Sequence, residues 1–261
     1  MAKHSSGSAA ERSKLIKNGE EIELMKISGQ ICAQALKKVL ENAKAGTTCS
    51  HLDKVARQEI KKSKATPSFM TVEGYKWAIC TTVNDQVVHG IPGGSILSNG
   101  DILSIDIGTL YQGFHSDMAI SVPIGNISQK VKRFLEVGKN TLRAAILRAK
   151  IGNTIGDIST TIQEMVEGAG FSVVKSLTGH GIGKDLHEEP IIPGFGKKGT
   201  GEKIKENMAL AIEVIYAEGS GEIRMEKDNW TISTEDGSLA GLFEQTIIVT
   251  KNGPIVLTPY L

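Results

Sequence analysis

The chain has 261 residues, of which 40% are hydrophobic, so it can bury a substantial core in one large domain or two closely packed halves. Thirty basic and twenty-nine acidic residues give a formal net charge of +1. This near-neutral balance argues against nucleic-acid specificity and against attraction to acidic membranes. The three cysteines are odd in number and include no C-x-x-C pair, which argues against a disulfide framework or a structural zinc and favours a reducing cytoplasm.

Residues 1–12 are rich in Ser, Ala and Gly without periodicity, and we expect them to form a flexible tail. They contain no apolar run typical of a secretory signal or a membrane anchor. Later apolar stretches are too short to cross a bilayer. We therefore expect a single domain over residues 13–261 and no membrane partner.

Helical spacing of apolar residues predicts helices over residues 20–44, 52–62, 131–150 and 157–168. Strand patterns occupy residues 78–83, 101–110, 113–122, 171–175, 208–217 and 239–249. The helices come in pairs, and the strands come in adjacent runs joined by glycine-containing turns. This arrangement favours an antiparallel α+β class over a Rossmann alternation.

The two helix pairs are related by an offset of 106 residues, which aligns Gly46 with Gly152 and Thr48 with Thr154. The identity between the segments is low, so a chance match is the alternative. A true repeat predicts two related halves whose sheets join around a shared central site.

Two aspartates flank a predicted hairpin turn. Asp106 and Asp117 are placed symmetrically about Tyr111 and Gln112, so a simple hairpin puts them directly opposite each other. Facing side chains lie roughly 5 Å apart at Cβ, where like charges repel unless a cation lies between them. Because their neighbours are apolar, the pair favours a metal site over an exposed acidic pair on an edge strand.

Two glutamates interrupt apolar strands, Glu213 within residues 209–215 and Glu244 within residues 242–248. A buried carboxylate without a partner is costly, so each requires a cation, a hydrogen-bonding partner or a proton. For either glutamate alone, a structural role with one good partner is an equal alternative. Four carboxylates in apolar strands together favour metal binding.

Three histidines lie in glycine-rich segments. His89 is in Val-Val-His-Gly-Ile-Pro, and His180 and His187 are in Gly-His-Gly-Ile-Gly-Lys-Asp-Leu-His-Glu-Glu-Pro. Each one alone is more commonly a structural residue. Together, His180 and His187 suit one site as a ligand and a proton donor. His115 lies two residues before Asp117 and should share its face of the strand in a supporting role.

The carboxylates and histidines occur in an order that resembles the type 1 methionine aminopeptidases of peptidase family M24, from about residue 20 onwards. The motifs Val-Val-His-Gly-Ile-Pro, Gly-His-Gly-Ile-Gly, His-Glu-Glu-Pro and Trp-Thr-Ile-Ser-Thr are together very specific. The resemblance implies the pita-bread (creatinase/aminopeptidase) fold, with two pseudo-symmetric halves around a dinuclear metal site. Without long insertions or an N-terminal zinc-binding extension, the chain resembles the short form.

By this resemblance, Asp106 would chelate one metal, Asp117 and Glu244 would bridge both, and His180 and Glu213 would complete the other. The cofactors would be two divalent ions (Mn, Fe, Co or Zn), because mixed oxygen and nitrogen ligands suit these metals. The pair would acidify a bridging water to hydroxide and polarise the scissile carbonyl.

The implied reaction is removal of the N-terminal methionine from nascent proteins and peptides with a small second residue. Glu213 would be the proton shuttle, and His187 and His89 would bond the substrate amide or the developing oxyanion. A free substrate amine is required, so endopeptidase activity is not expected.

The family's methionine pocket maps onto Phe69, Tyr75, Cys80 and Trp230, with His89 and His187 also contacting substrate. Cys80 is then a wall of the pocket and not a nucleophile.

The chain departs from the usual pattern in three places, and we expect these departures to change the pocket shape and the rate but not the metals. Leu186 stands where an aromatic is common, Val214-Ile215 replace Pro-Met, and Val72-Glu73 replace Tyr-His.

Two rival interpretations remain. An X-Pro aminopeptidase or creatinase relative shares the ligand set but usually carries an additional N-terminal domain, for which about twenty residues before the first helix leave no room. A peptide-binding protein that has lost its metals is the non-catalytic alternative, and retention of all five ligand positions argues against it.

The expected partners are nascent polypeptide N-termini and, through the Lys197-Lys198 loop, the ribosome. We expect a cytoplasmic monomer.

Overall fold

The computed structural model describes residues 15–260, so the expected flexible tail over residues 1–12 lies outside the described residues. The long helices are α1 (Gly19–Asn42), α2 (Cys49–Lys62), α3 (Gln129–Ile146) and α4 (Ile155–Gly168). Asn18 begins α1 with a capping box, in which its side chain accepts from the Glu21 N–H and its own N–H donates to the Glu21 carboxylate. No helix in residues 15–260 is long and apolar enough to cross a membrane.

Thirteen strands are formed by the described residues, and their bounds follow in chain order. They are β1 (Thr66–Pro67), β2 (Ile79–Val83), β3 (Gln86–Val88), β4 (Ile102–Tyr111), β5 (Phe114–Pro123), β6 (Ser172–Val173), β7 (Thr178–Gly181), β8 (Glu188–Pro193), β9 (Ala209–Ala217), β10 (Ile223–Met225), β11 (Ile232–Thr234), β12 (Ala240–Thr250) and β13 (Gly253–Val256). All six predicted strands are present with shifted ends. The additional strands contain only two to six residues each, too few for a clear alternation.

The main sheet runs in the order β1-β4-β5-β12-β9-β7-β8, with β2 on β4, β6 on β9 and β13 on β12; β10, β11 and β3 form a second, smaller sheet. Strand pairs within residues 15–260 are antiparallel throughout, which confirms the expected α+β class. One face of the main sheet is covered by helices, α1 on β4 and β5 and α3 on β9 and β12. Each helix pair covers its own apolar core.

The internal repeat is confirmed. Helices α2 and α4 each contain 14 residues, and their first residues, 49 and 155, differ by 106, as do their last, 62 and 168. Thr48 and Thr154 occupy the equivalent N-cap positions. The chain therefore has two related halves, whose sheets meet where β5 pairs with β12.

Helix α1 packs closely on the C-terminal segment at Gly29. A Cβ at this position would lie 2.7 Å from the carbonyl carbon of Leu257 and nearer still to its oxygen, and backbone cannot rotate away. We expect Gly29→Ala to destabilise the chain by about 1–3 kcal/mol, as overpacking does in a close-packed interior. Thermal unfolding measures the effect. Gly19→Ala in the same helix is the matched control, because its Cβ would meet nothing within 4 Å. An equal melting temperature for the two variants would contradict the prediction.

Candidate metal centre

Five predicted ligand residues lie on one face of five neighbouring strands: Asp106 on β4, Asp117 on β5, Glu244 on β12, Glu213 on β9 and His180 on β7. The register explains why they converge. Ala119 is the Cα partner of both Asp106 and Glu244, and Ala211 is the partner of His180. Since residues two apart on a strand point to the same side, all five side chains face away from the helices.

The aspartates are not directly opposite, so that prediction is wrong. The hairpin turns at Gln112 and Gly113, whose φ values of 47° and 86° suit a two-residue type I′ turn. This register pairs Asp106 with Ala119 and Asp117 with Gly108. The centre of the turn is displaced from the midpoint of the two aspartates, so the partner of Asp106 lies two residues from Asp117. The two aspartates are therefore diagonal neighbours that still share a face.

The glutamates, in contrast, do face each other directly. Glu244 on β12 is the Cα partner of Glu213 on β9. Direct opposition of like charges is destabilising unless a cation or a proton compensates. Each half of the sheet thus contributes one pair of carboxylates to the same centre.

His180 presents a defined nitrogen to this centre. Its Nδ1 lies 2.8 Å from the carbonyl oxygen of Gly181, which can only accept, so Nδ1 donates. Burial lowers the pKa of His180 to about 4, so the neutral ring leaves a lone pair on Nε2. Nε2 lies 3.6 Å from Glu213 Oε1, and ligand atoms of Asp117, His180 and Glu244 all lie within 4.8 Å of one another.

Burial raises the pKa values of the four carboxylates. Desolvation raises the pKa of Asp106 to about 7. Desolvation and the nearby carboxylates raise the pKa values of Asp117, Glu213 and Glu244 well above their usual range. Two fully buried oxygens, Asp106 Oδ1 and Glu244 Oε1, have no hydrogen-bond partner among the described residues. Unpartnered carboxylate oxygens beside a neutral imidazole are the donor set of a divalent-cation site.

A cavity of about 160 Å³ lies over this centre, with the carboxylates on one side and apolar residues on the other. It brings together the predicted pocket residues Phe69, Tyr75, Cys80 and Trp230. The Tyr75 hydroxyl donates to Cys80 Sγ at 3.1 Å, and burial raises the pKa of this thiol well above its usual range. Cys80 therefore lines the cavity as a protonated thiol.

A wider cleft of about 510 Å³ adjoins the cavity and shares His89, His180, His187 and Glu213 with it. The ring of His187 lies edge-on to that of His180 with centroids 4.5 Å apart. His89 has a φ of 57°, a left-handed conformation that is uncommon for residues with a side chain and recurs at functional sites. Desolvation lowers the pKa of both His89 and His187.

The departures from the family pattern are spread around this site. Leu186 and Val72 line the small cavity, Ile215 lines the wider cleft, and Glu73 is exposed. Val88, which also lines both spaces, was missed, although it directly precedes His89.

His115 is buried and shares the face of Asp117, and its Nδ1 lies 2.9 Å from the Ser68 hydroxyl.

Comparison with known proteins gives similarity over almost the whole chain. Residues 23–250 match metallopeptidase family M24. A methionine aminopeptidase of Clostridium perfringens is 41% identical over 244 residues, covering 94% of this chain and 98% of that protein. The crystal structure of methionine aminopeptidase from Thermotoga maritima superposes with a TM-score of 0.92 at 40% identity, covering 93% of this chain and 98% of that one.

A prolidase from Pyrococcus furiosus is similar in structure with a TM-score of 0.79, but at 22% identity and with 67% of its chain covered. At that identity the likeness shows the fold alone. Together these similarities confirm the expected pita-bread fold.

Proposed function

This chain belongs to metallopeptidase family M24 and, within it, to the methionine aminopeptidases, and we propose that it performs their reaction with two divalent metal ions. The observation that carries the proposal is the buried group of Asp117, His180 and Glu244 with ligand atoms within 4.8 Å. The orphaned oxygens of Asp106 and Glu244 fit the same ions.

The ligands in this proposal are the five residues on the shared face of the sheet, which are Asp106, Asp117, His180, Glu213 and Glu244. Two divalent ions balance the charge of four carboxylates, which supports a pair over a single ion. Mn, Fe, Co and Zn all suit mixed oxygen and nitrogen donors. When bound, such a pair polarises a scissile carbonyl and lowers the pKa of water at the site.

The remaining residues bind and orient the substrate. The methionine side chain enters the small cavity against Phe69, Tyr75, Cys80 and Trp230, where apolar contact favours a thioether. The rest of the polypeptide leaves through the wider cleft, which is continuous with the cavity at His89 and His187.

In this proposal one side chain takes up a proton and two donate hydrogen bonds to the substrate. Glu213 lies where cavity and cleft meet and takes the proton from the attacking water. His187 and His89 donate hydrogen bonds to the amide or to the oxygen that becomes negative during attack.

Peptide hydrolysis tests this function. With Mn²⁺ or Co²⁺ added, we expect methionine release from Met-Ala-Ser but not from Met-Leu-Ser, no cleavage of Ala-Pro-Ser, and loss of release after chelation. Cleavage of Ala-Pro-Ser would favour the X-Pro aminopeptidase alternative instead. No release with any metal would favour the peptide-binding alternative.

We also propose that the natural substrates are nascent chains in the cytoplasm and that the enzyme is a monomer. The three cysteines are free and buried, which suits a reducing compartment. The exposed pair Lys197 and Lys198 is the proposed ribosome contact. Unchanged ribosome pelleting after Lys197→Glu and Lys198→Glu would remove this contact, and light scattering after size exclusion measures the oligomeric state.

A further inference from the structure

The two halves of the main sheet meet at a short strand contact. Among the described residues, β5 and β12 pair at two positions, Ala119 with Glu244 and Met118 with Gln245. By comparison, β4 and β5 pair at ten positions, and β12 and β9 pair at nine. Asp117 lies at the edge of this contact, and Glu244 lies within it. The relative placement of these two carboxylates, which come from opposite halves, therefore depends on a joint with few backbone hydrogen bonds.

Side chains replace the strand ladder just beyond the contact. The N–H of Asp117 donates to Thr246 Oγ1 at 2.9 Å, and this hydroxyl donates to the carbonyl oxygen of Asp117 at 2.7 Å. The N–H of Thr246 donates to Thr258 Oγ1 at 2.9 Å. Since a hydroxyl both donates and accepts, Thr246 and Thr258 link backbones that no longer pair directly.

The C-terminal segment supplies this second set of bonds. Strand β13 takes over the edge of β12 from Ile247 onwards, where β5 has departed. Gln245 Nε2 then donates to the carbonyl oxygen of Thr258 at 2.8 Å, and the N–H of Leu257 donates to the carbonyl oxygen of Thr246 at 2.9 Å. Residues 257–260 are thereby held against the joint between the halves.

Tyr260 contacts both strands of the joint through one hydroxyl. Its Oη lies 2.7 Å from the carbonyl oxygen of Ala119 and 3.1 Å from that of Glu244, which are the paired residues of β5 and β12. Its ring packs against the apolar cores of both halves. The side chain thus approaches the joint from the helix-covered face, opposite the carboxylates.

We propose that Tyr260 is a positioning residue for the metal centre. By sharing its single O–H between the carbonyl oxygens of Ala119 and Glu244, it fixes the separation of the Asp117 and Glu244 carboxylates, which would hold a shared ion. Residues behind metal ligands commonly determine metal affinity by fixing ligand orientation. This inference rests on the proposed metal centre and adds that the joint between the halves sets the spacing of two of its carboxylates.

The test is Mn²⁺ binding to the metal-free full-length chain by calorimetry. Tyr260→Phe keeps the ring packing and removes the hydroxyl, and we expect its apparent Kd for Mn²⁺ to rise about 10-fold. We expect kcat/KM on Met-Ala-Ser to fall at limiting Mn²⁺ and to recover at saturating Mn²⁺. Thr258→Val removes a second hydroxyl at the joint, the one that accepts from the Thr246 N–H, and we expect this variant to weaken Mn²⁺ binding as well.

Tyr216→Phe is the matched control. The Tyr216 hydroxyl is also buried and also donates to a backbone carbonyl oxygen, that of Phe134 at 2.6 Å, but it lies under the helices of the second half. We expect it to lower stability and leave the Mn²⁺ affinity unchanged. Equal weakening of Mn²⁺ binding in Tyr260→Phe and Tyr216→Phe would overturn the positioning role. Unchanged Mn²⁺ binding in both Tyr260→Phe and Thr258→Val would overturn it as well. Failure of the wild type to bind Mn²⁺ would overturn the metal centre itself and this inference with it.

Discussion

We expect Asp117→Asn to lower kcat/KM for methionine release from Met-Ala-Ser by about three orders of magnitude at saturating Mn²⁺. Asparagine has the same shape but no charge, and it weakens a ligand set in which Asp117, His180 and Glu244 lie within 4.8 Å. Charge stabilisation by a bound metal contributes several kcal/mol, and about 1.4 kcal/mol corresponds to a factor of ten in rate. Steady-state kinetics with a parallel Mn²⁺ titration measures both effects.

Asp85→Asn is the matched control for this loss. Its carboxylate lies 3.8 Å from Arg224, and 38% of its side chain is exposed. We expect wild-type kinetics, because an exposed ion pair contributes little. Wild-type activity in Asp117→Asn would remove this residue from the ligand set, and a comparable loss in Asp85→Asn would mean that the assay reports general damage.

The metal-free chain is expected to lose stability as the pH rises, and Asp106 is a principal cause. Its pKa is raised by burial from 3.8 to about 7. The folded state therefore binds this proton more tightly than the unfolded state. The stabilisation is fully present below pH 3.8 and is lost as the pH rises through about 7. The shift of about three pKa units corresponds to about 4 kcal/mol at the upper end of this window.

Comparison of the wild type with Asp106→Asn reports this contribution together with the smaller upward pKa shifts of Asp117, Glu213 and Glu244 that follow when the Asp106 charge is removed, and both act in the same direction. His180, whose pKa is lowered to about 4, acts in the opposite direction between that pH and 6.5, and it is common to both proteins. In urea unfolding after chelation, we expect the stability of Asp106→Asn relative to wild type to increase by about 4 kcal/mol between pH 4 and pH 8. A difference independent of pH would contradict the raised pKa. Added Mn²⁺ should stabilise the wild type increasingly with pH, because binding displaces protons.

The structure brings the predicted carboxylates together, but in a different register from the one expected. The hairpin of Asp106 and Asp117 was expected to place them face to face, and instead Glu213 and Glu244 are the directly opposed pair. The register of the Asp106 and Asp117 hairpin is set locally, because left-handed φ values at Gln112 and Gly113 fix a two-residue turn.

The sequence by itself determined the features that arise within a few residues. Apolar periodicity located the four helices and six of the thirteen strands of the described residues, and it placed Asp106, Glu213 and Glu244 inside buried strands. Their burial and like charge were enough to predict a metal site, because an uncompensated carboxylate in an apolar strand is costly. The 106-residue offset also indicated two related halves.

Only the tertiary structure decided how those halves meet. The pairing of Glu213 with Glu244, the two-position contact between β5 and β12, and the placement of Tyr260 against Ala119 all join residues far apart in the chain. Periodicity reports which face of a strand is buried, but the register between distant strands is set by the packing of the whole sheet and its connections. For this reason the residues of the proposed metal centre were visible in the sequence, whereas the joint between the halves was not.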